Sequence, residues 1–153
     1  MSVRVVTKLI RNGWEIYFFK DLFGKQRRDL RESATKLKHK LLQEEYISHP
    51  EVKLFAATMR GVKEIIVMNP FSHEFLLSNS LKKYGRLKGY GIDSRCRLFF
   101  RAIDDGERKC LFILWLGSPR RQGDKKDCYE VFTKWVENGT FPETIDNLVL
   151  MCE

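Results

Sequence analysis

One apolar run in the carboxyl-terminal half constrains the fold of this chain more than any other feature. Cys110 to Leu116 is apolar at every position, which is typical of a central strand covered on both faces. The Asp104-Asp105-Gly106 segment before it is a hairpin-turn signal. The run from Arg95 to Ile103 alternates between mainly apolar and mainly basic positions, which predicts a half-buried partner strand with an outward basic face. Together these runs predict an antiparallel sheet.

The remaining elements follow from hydrophobic periodicity. Trp14 to Phe19 is aromatic and β-branched, and therefore predicts a first strand. Apolar residues spaced three and four apart between Asp21 and Tyr46, and between Pro50 and Ile66, predict two long amphipathic helices. A last helix should begin near residues 125 to 127. We therefore expect an α+β fold over residues 1–153: an antiparallel-rich sheet with helices layered on one face, two of them long, and a C-terminal helix.

Composition narrows the class of protein. The chain carries 28 Lys and Arg against 20 Asp and Glu, a formal charge of +8, and such a surface attracts nucleic acid or an acidic protein. Its four cysteines lack CxxC spacing and its three histidines are scattered, which disfavours zinc, disulfides and metal-assisted chemistry. No run approaches the roughly 18 to 20 apolar residues that a membrane span needs. We expect a cytoplasmic protein without a metal or other cofactor.

Three basic groups should converge if the carboxyl-terminal strands are neighbours. They are Arg86 and Lys88 on one predicted strand, Arg95, Arg97 and Arg101 on the next, and Arg120, Arg121, Lys125 and Lys126 in the loop after the third. Metal-independent RNA cleavage needs such a surface, because the 2′-hydroxyl attacks its own phosphate through a dianionic state that fixed donors must stabilise. Arginine presents planar, paired donors to phosphate oxygens and stays charged.

Lysines and aromatic residues extend this hypothesis. Like charges disfavour the protonated form of a lysine, so Lys88, Lys125 or Lys126 is a candidate to accept the 2′-hydroxyl proton. Aromatic side chains among the cations would stack on unpaired bases, which favours single-stranded RNA; they are Tyr84, Tyr90, Phe99 and Tyr129. The same pattern is compatible with a plain solvated sheet face, a non-catalytic RNA- or ribosome-binding module, or a docking surface for an acidic protein.

Several segments together resemble the YhaV family, a branch of the RelE-like toxins of type II toxin–antitoxin systems. The segments are Arg95 to Arg101 with the Asp-Asp-Gly turn, Leu111 to Leu116, Gly123 to Phe132, Asn12-Gly13-Trp14, and Asn69-Pro70 with Ser72 and Phe75. The resemblance implies a RelE-like fold, metal-independent mRNA cleavage, and inhibition of translation and growth. It also implies neutralisation by a PrlF-like, swapped-hairpin antitoxin, operator DNA binding only through that antitoxin, and an mRNA substrate cut on or off the ribosome.

The resemblance also assigns roles by position. Arg86 and Lys88 match basic strand residues that RelE-like enzymes use on the phosphate and the 2′-hydroxyl, and Arg97 matches the arginine of their YRLxY-like strand. Arg120 or Arg121 matches the arginine after the third strand, and Tyr129 matches a late tyrosine. The expected catalytic residues are thus Arg97, Lys88, Tyr129, Arg86 and Arg120, and the expected RNA contacts are Arg95, Arg101, Arg121, Lys125, Lys126 and Tyr90.

Overall fold

The computed structural model describes residues 9–117 and 127–153, and a five-stranded sheet forms the centre of this part of the chain. The strands are β1 (Leu9–Arg11), β2 (Trp14–Phe18), β3 (Gly85–Leu87), β4 (Arg97–Asp104) and β5 (Lys109–Gly117). Their order in the sheet is β1-β2-β5-β4-β3, with β2 parallel to β5 and the other neighbours antiparallel. The predicted α+β class with an antiparallel-rich sheet is confirmed.

Five α-helices accompany the sheet in the described residues. They are α1 (Lys25–Lys40), α2 (Gln43–Ser48), α3 (Pro50–Arg60), α4 (Cys128–Glu137) and α5 (Ile145–Leu150). The prediction of one continuous helix from Asp21 to Tyr46 is wrong, because Leu41 and Leu42 adopt extended backbone and separate α1 from α2. The second predicted helix continues past α3 as a wider and then a tighter helical turn, which ends at Met68. No helix of the described residues is long and apolar enough to cross a bilayer.

Helices cover both faces of the sheet. One core lies under α1 and α3 and contains Leu98, Phe100, Leu111 and Ile113. The other lies under α4 and α5 and contains Phe99, Phe112, Leu114 and Phe132. The C-terminal helices therefore lie opposite the long helices, whereas the sequence pattern placed the helices on one face. The expectation for β5 is confirmed, because its residues from Cys110 to Leu114 are fully buried.

Coverage of the second face changes the interpretation of β4. Phe99 and Arg101 lie on the face that was predicted to be outward and basic, but their exposed fractions are 0% and 8%. The alternation correctly separated two faces, yet it could not show that α4 and α5 cover the second one. The outward basic face predicted for the whole strand is wrong, and Arg97, at the start of β4, remains half-buried.

Candidate functional site

Tyr129 is fixed at the beginning of α4. The Asp127 carboxylate accepts a hydrogen bond from the Glu130 backbone amide at 3.0 Å and caps this helix. Tyr129 therefore lies in the first turn, and its ring packs edge-on against Phe99 with centroids 5.6 Å apart. Phe99 is itself stacked on Phe132. These contacts hold the phenol in place and leave its hydroxyl group directed at β3 and β4.

Two arginines meet at that hydroxyl. Arg86 lies in β3 opposite Phe99, and Arg97 precedes Phe99 by two residues in β4, so both side chains emerge on the face covered by α4. The Nε atom of each arginine donates a hydrogen bond of 3.1 Å to the Tyr129 hydroxyl oxygen. We call Arg86 and Arg97 the arginine pair.

The other hydrogen bonds of the arginine pair go to neutral acceptors. Arg86 Nη1 donates to the Glu74 carbonyl oxygen at 2.8 Å. Arg97 Nη1 donates to the carbonyl oxygens of Ser94 and Cys96 at 2.7 and 2.8 Å. Across residues 9–117 and 127–153, no carboxylate pairs with either guanidinium, and neither Nη2 atom donates a hydrogen bond. Among the described residues the two positive charges therefore have no counter-ion and are held in place by neutral groups, which is the arrangement of an anion site.

The Tyr129 hydroxyl is oriented by the same bonds. A phenol oxygen carries one proton and accepts through its lone pairs. Because two guanidinium groups occupy its acceptor positions, the O–H bond points away from both. A phosphate held by the Nη2 atoms, which have no partner among the described residues, would therefore meet a hydroxyl group that can donate.

Three further candidates lie in the segment between β3 and β4. Lys88 is exposed one residue after β3, and Arg95 is exposed and paired with Asp93 at 3.5 Å. The Tyr90 hydroxyl donates to the Glu74 carboxylate, and this hydrogen bond raises the pKa of Tyr90. The segment from Tyr84 to Tyr90 is not extended throughout, because β3 ends at Leu87, Tyr90 has a φ of 54° and Tyr84 is buried.

Arg101 has a different environment from Arg97. Its guanidinium lies 5.7 Å from the Tyr84 ring centroid, and its Nη1 atom is 3.4 Å from both the Glu143 carboxylate and the Pro142 carbonyl oxygen. With 8% of its surface exposed, it joins β4 to the segment before α5. The fold does not bring Arg101 to the arginine pair.

The four predicted cations of the loop after β5 lie outside the described residues. They are Arg120, Arg121, Lys125 and Lys126. Within the described residues no group of three His, Cys, Asp or Glu side chains is placed to hold a metal ion.

Two cysteines beside the arginine pair remain neutral thiols. Burial raises the pKa of Cys96 to about 11. Burial also raises the pKa of Cys128, although the charge of Arg97 acts in the opposite direction. A thiolate is the nucleophilic form of cysteine, so these side chains do not supply a nucleophile near neutral pH.

Glu74 is a member of the site that the sequence did not indicate. Its carbonyl oxygen holds Arg86 and its carboxylate holds Tyr90, so it joins two predicted residues. It lies in a loop without periodicity and twelve residues from Arg86 in the chain, and no motif connects them. The β-bridge between Leu76 and Gly85 brings this loop to β3, and this pairing exists only in the folded chain.

Comparison with known proteins shows the family to which the chain belongs. Residues 17–153 match the family model of YhaV toxins, described as toxins with endonuclease activity, of toxin–antitoxin systems. The chain is 32% identical to the ribonuclease toxin YhaV of Escherichia coli K12, over 69% of this chain and 71% of that protein. The YhaV toxins of the O6:H1 strain CFT073 and of O157:H7 match equally well. No solved structure gives a significant match. The family match covers all three residues of the Arg86–Tyr129–Arg97 cluster, and the resemblance seen in the sequence is confirmed: this chain belongs to the YhaV toxin family.

Proposed function

We propose that this protein is a metal-independent endoribonuclease that cleaves mRNA by 2′-hydroxyl attack and thereby inhibits translation and growth. The observation that carries the proposal is the arginine pair on one tyrosine hydroxyl, with two charges that no described carboxylate neutralises. A relative with 32% identity is named a ribonuclease toxin. An unneutralised cationic pair beside a hydroxyl donor is suited to a phosphodiester undergoing cleavage.

The proposed reaction uses each group once. The 2′-oxygen attacks the adjacent phosphorus and loses its proton, and the free Nη2 atoms of Arg86 and Arg97 bind the charged oxygens of the five-coordinate state. Tyr129 donates its proton to the departing 5′-oxygen. The products are a 2′,3′-cyclic phosphate and a 5′-hydroxyl end. Three lysines are candidates to accept the 2′-hydroxyl proton, and of these Lys88 lies in the described residues.

The remaining predicted residues complete a proposed RNA-binding surface. Arg120 stays a candidate third catalytic cation, and Arg121, Lys125 and Lys126 stay candidate phosphate contacts, on the resemblance alone. Arg95 is exposed beside Arg97, and its surface ion pair with Asp93 is weak enough to be exchanged for a phosphate. We leave Arg101 out of this surface, since it is buried and paired with Glu143.

Membership of a toxin–antitoxin family implies an antitoxin partner. We propose a PrlF-like, swapped-hairpin antitoxin that covers the arginine pair with acidic groups and alone contacts operator DNA. An acidic partner and an RNA phosphate would compete for the same Nη2 atoms. The antitoxin would therefore inhibit RNA cleavage by occupying the phosphate site. Because the proposed substrate is mRNA, we propose that the protein acts in the cytoplasm, either on mRNA bound to the ribosome or on free mRNA.

Induced expression of matched variants in a bacterial host tests the proposal. Wild-type protein should arrest growth and create new mRNA 5′ ends, whereas Arg97→Ala should do neither at equal expression. Arg31→Ala is the matched control, because Arg31 is exposed on α1 at the opposite face of the sheet. Circular dichroism should show that all three proteins are folded.

The alternative is a non-catalytic RNA- or ribosome-binding module that uses the same cations to hold phosphates. It predicts salt-sensitive RNA binding by the wild-type protein with intact mRNA. Normal growth and unchanged 5′ ends after wild-type expression would favour that alternative over the nuclease. Full toxicity of Arg97→Ala would instead contradict the role of Arg97.

A further inference from the structure

A surface cleft shares one residue, Glu74, with the surroundings of the arginine pair. It has a volume of about 320 Å³ and is lined by Ile65, Met68, Asn69, Ser72, Glu74 and Tyr90, among other residues. Its walls combine apolar surface with polar groups of Asn69, Ser72, Glu74 and Glu64, the last of which is paired with Arg60. Small-molecule sites have this composition, in which apolar walls hold the ligand and a few polar groups orient it.

Glu74 connects this cleft to the proposed reaction site. Its carbonyl oxygen accepts from Arg86 Nη1 at 2.8 Å, while its carboxylate accepts from the hydroxyl group of Tyr90, and both Glu74 and Tyr90 line the cleft. One residue thus faces the guanidinium on its backbone side and the cleft on its side-chain side. Glu74 thus contacts both places, and the proposal below takes a single nucleotide to span them.

Two exposed side chains give the cleft a stacking surface. Tyr90 is 45% exposed and Met68 is 71% exposed, although both are large side chains that usually avoid water. The bond to Glu74 orients the Tyr90 hydroxyl and so restrains its ring. Aromatic side chains in such positions hold the unpaired bases of single-stranded RNA.

The Glu74 carboxylate supplies the selectivity. Within the described residues no lysine or arginine pairs with it, so it offers acceptor positions besides the one used by Tyr90. An ionised carboxylate only accepts hydrogen bonds. Guanine presents two adjacent donors on its Watson–Crick edge, N1–H and the N2 amino group, whereas the other RNA bases present a donor beside an acceptor.

We propose that this cleft binds a guanine base next to the scissile phosphate, with Glu74 as the specificity-determining residue and Tyr90 as the stacking residue. The inference rests on the proposed function in one respect, namely that single-stranded RNA is the ligand. It adds a base preference that the arginine pair cannot provide, because phosphate contacts carry no sequence information.

Binding of RNA that cannot be cleaved tests the proposal separately from catalysis. The probes are short 2′-O-methyl oligoribonucleotides that differ at one position, which carries guanine, inosine, adenine, cytosine or uracil. Fluorescence anisotropy should give the wild-type protein an affinity for the guanine probe about ten-fold or more above the adenine, cytosine and uracil probes. Inosine, which lacks the N2 amino group, should fall between them.

Glu74→Gln should abolish the guanine preference, because the amide offers only one acceptor atom in place of two. Glu107→Gln is the matched control: it removes the same charge from an exposed residue beside the β4–β5 turn and should keep the preference. Equal affinities for all probes, no measurable binding of any probe, or a preference that survives in Glu74→Gln would overturn the proposal.

Cleavage of the corresponding 2′-hydroxyl RNAs separates this proposal from the nuclease proposal. Cleavage without guanine preference would contradict the guanine site and support the nuclease proposal. Guanine-selective binding without cleavage would support the guanine site and contradict the nuclease proposal.

Discussion

Tyr129→Phe removes one oxygen atom from the centre of the proposed site. The ring keeps its edge contact with Phe99, but the Nε atoms of Arg86 and Arg97 both lose their shared acceptor. The substitution also removes the proton that we assign to the leaving 5′-oxygen. It therefore separates the chemical role of Tyr129 from its role in packing.

The expected magnitudes differ for stability and for activity. A net intramolecular hydrogen bond contributes about 0.5–1.5 kcal/mol. Both arginines are half-buried and can bind water after the change, so we expect a total loss of about 1 kcal/mol, or roughly 2–4 °C in Tm. Loss of a general acid lowers a rate by about 10²–10⁴-fold. Cleavage should therefore fall by at least about 100-fold in a protein that remains folded.

Tyr17→Phe provides the matched control for both measurements. The Tyr17 hydroxyl also binds an arginine, Arg108, and a carboxylate, Glu15, both at 3.0 Å, but it lies away from the arginine pair. The two variants should lose similar thermal stability, and only Tyr129→Phe should lose cleavage when cut mRNA ends are counted at equal expression. Cleavage by Tyr129→Phe within a few-fold of wild type would refute the assignment of the proton donor.

Three further outcomes follow from the packing. Arg101→Met should cost at most about 1 kcal/mol in the free energy of unfolding, because the partner carboxylate of Glu143 is largely solvated, and cleavage should continue. Gly85→Ala should lower the free energy of unfolding, measured by urea denaturation, by about 1–3 kcal/mol, since the new Cβ would lie 2.5 Å from the Phe100 ring. Burial, together with the neighbouring Glu15, raises the pKa of Tyr17 to about 12. The folded state therefore binds the Tyr17 proton more tightly than the unfolded state does. The protonated Tyr17 stabilises the fold fully below about pH 10, and this stabilisation disappears as the pH rises towards 12. Alkaline unfolding curves should be less steep for Tyr17→Phe than for wild type.

Periodicity predicted those elements whose two faces differ in the sequence itself. The uninterrupted run of β5 identified a strand buried on both faces, and Asp127 with the apolar stripe around Phe132 identified α4. The break between α1 and α2 escaped prediction because neither Leu41 nor Leu42 is a residue type that ends helices. The short helix α5 escaped because six residues give too few repeats for a helical period.

The division of roles among the arginines could not come from periodicity. Arg97 and Arg101 share a strand, a residue type and a face, and alternation treats them alike. The segment after α4 brings Glu143 to Arg101 and buries it, while Tyr129 at the other end of α4 meets Arg97. These contacts join positions 32 to 43 residues apart, and no spacing rule at the level of the sequence specifies them.

The arginine pair has an electrostatic cost that points to its use. Two guanidinium groups bonded to one hydroxyl oxygen repel each other, and the repulsion is stronger at a half-buried position than in water. Elsewhere the chain neutralises such groups, since Glu15 binds Arg108 and Glu143 binds Arg101. Among the described residues no carboxylate plays this part for the arginine pair. An anion from outside would relieve the repulsion, which agrees with the proposal that RNA phosphate, or an acidic group of the antitoxin, binds there.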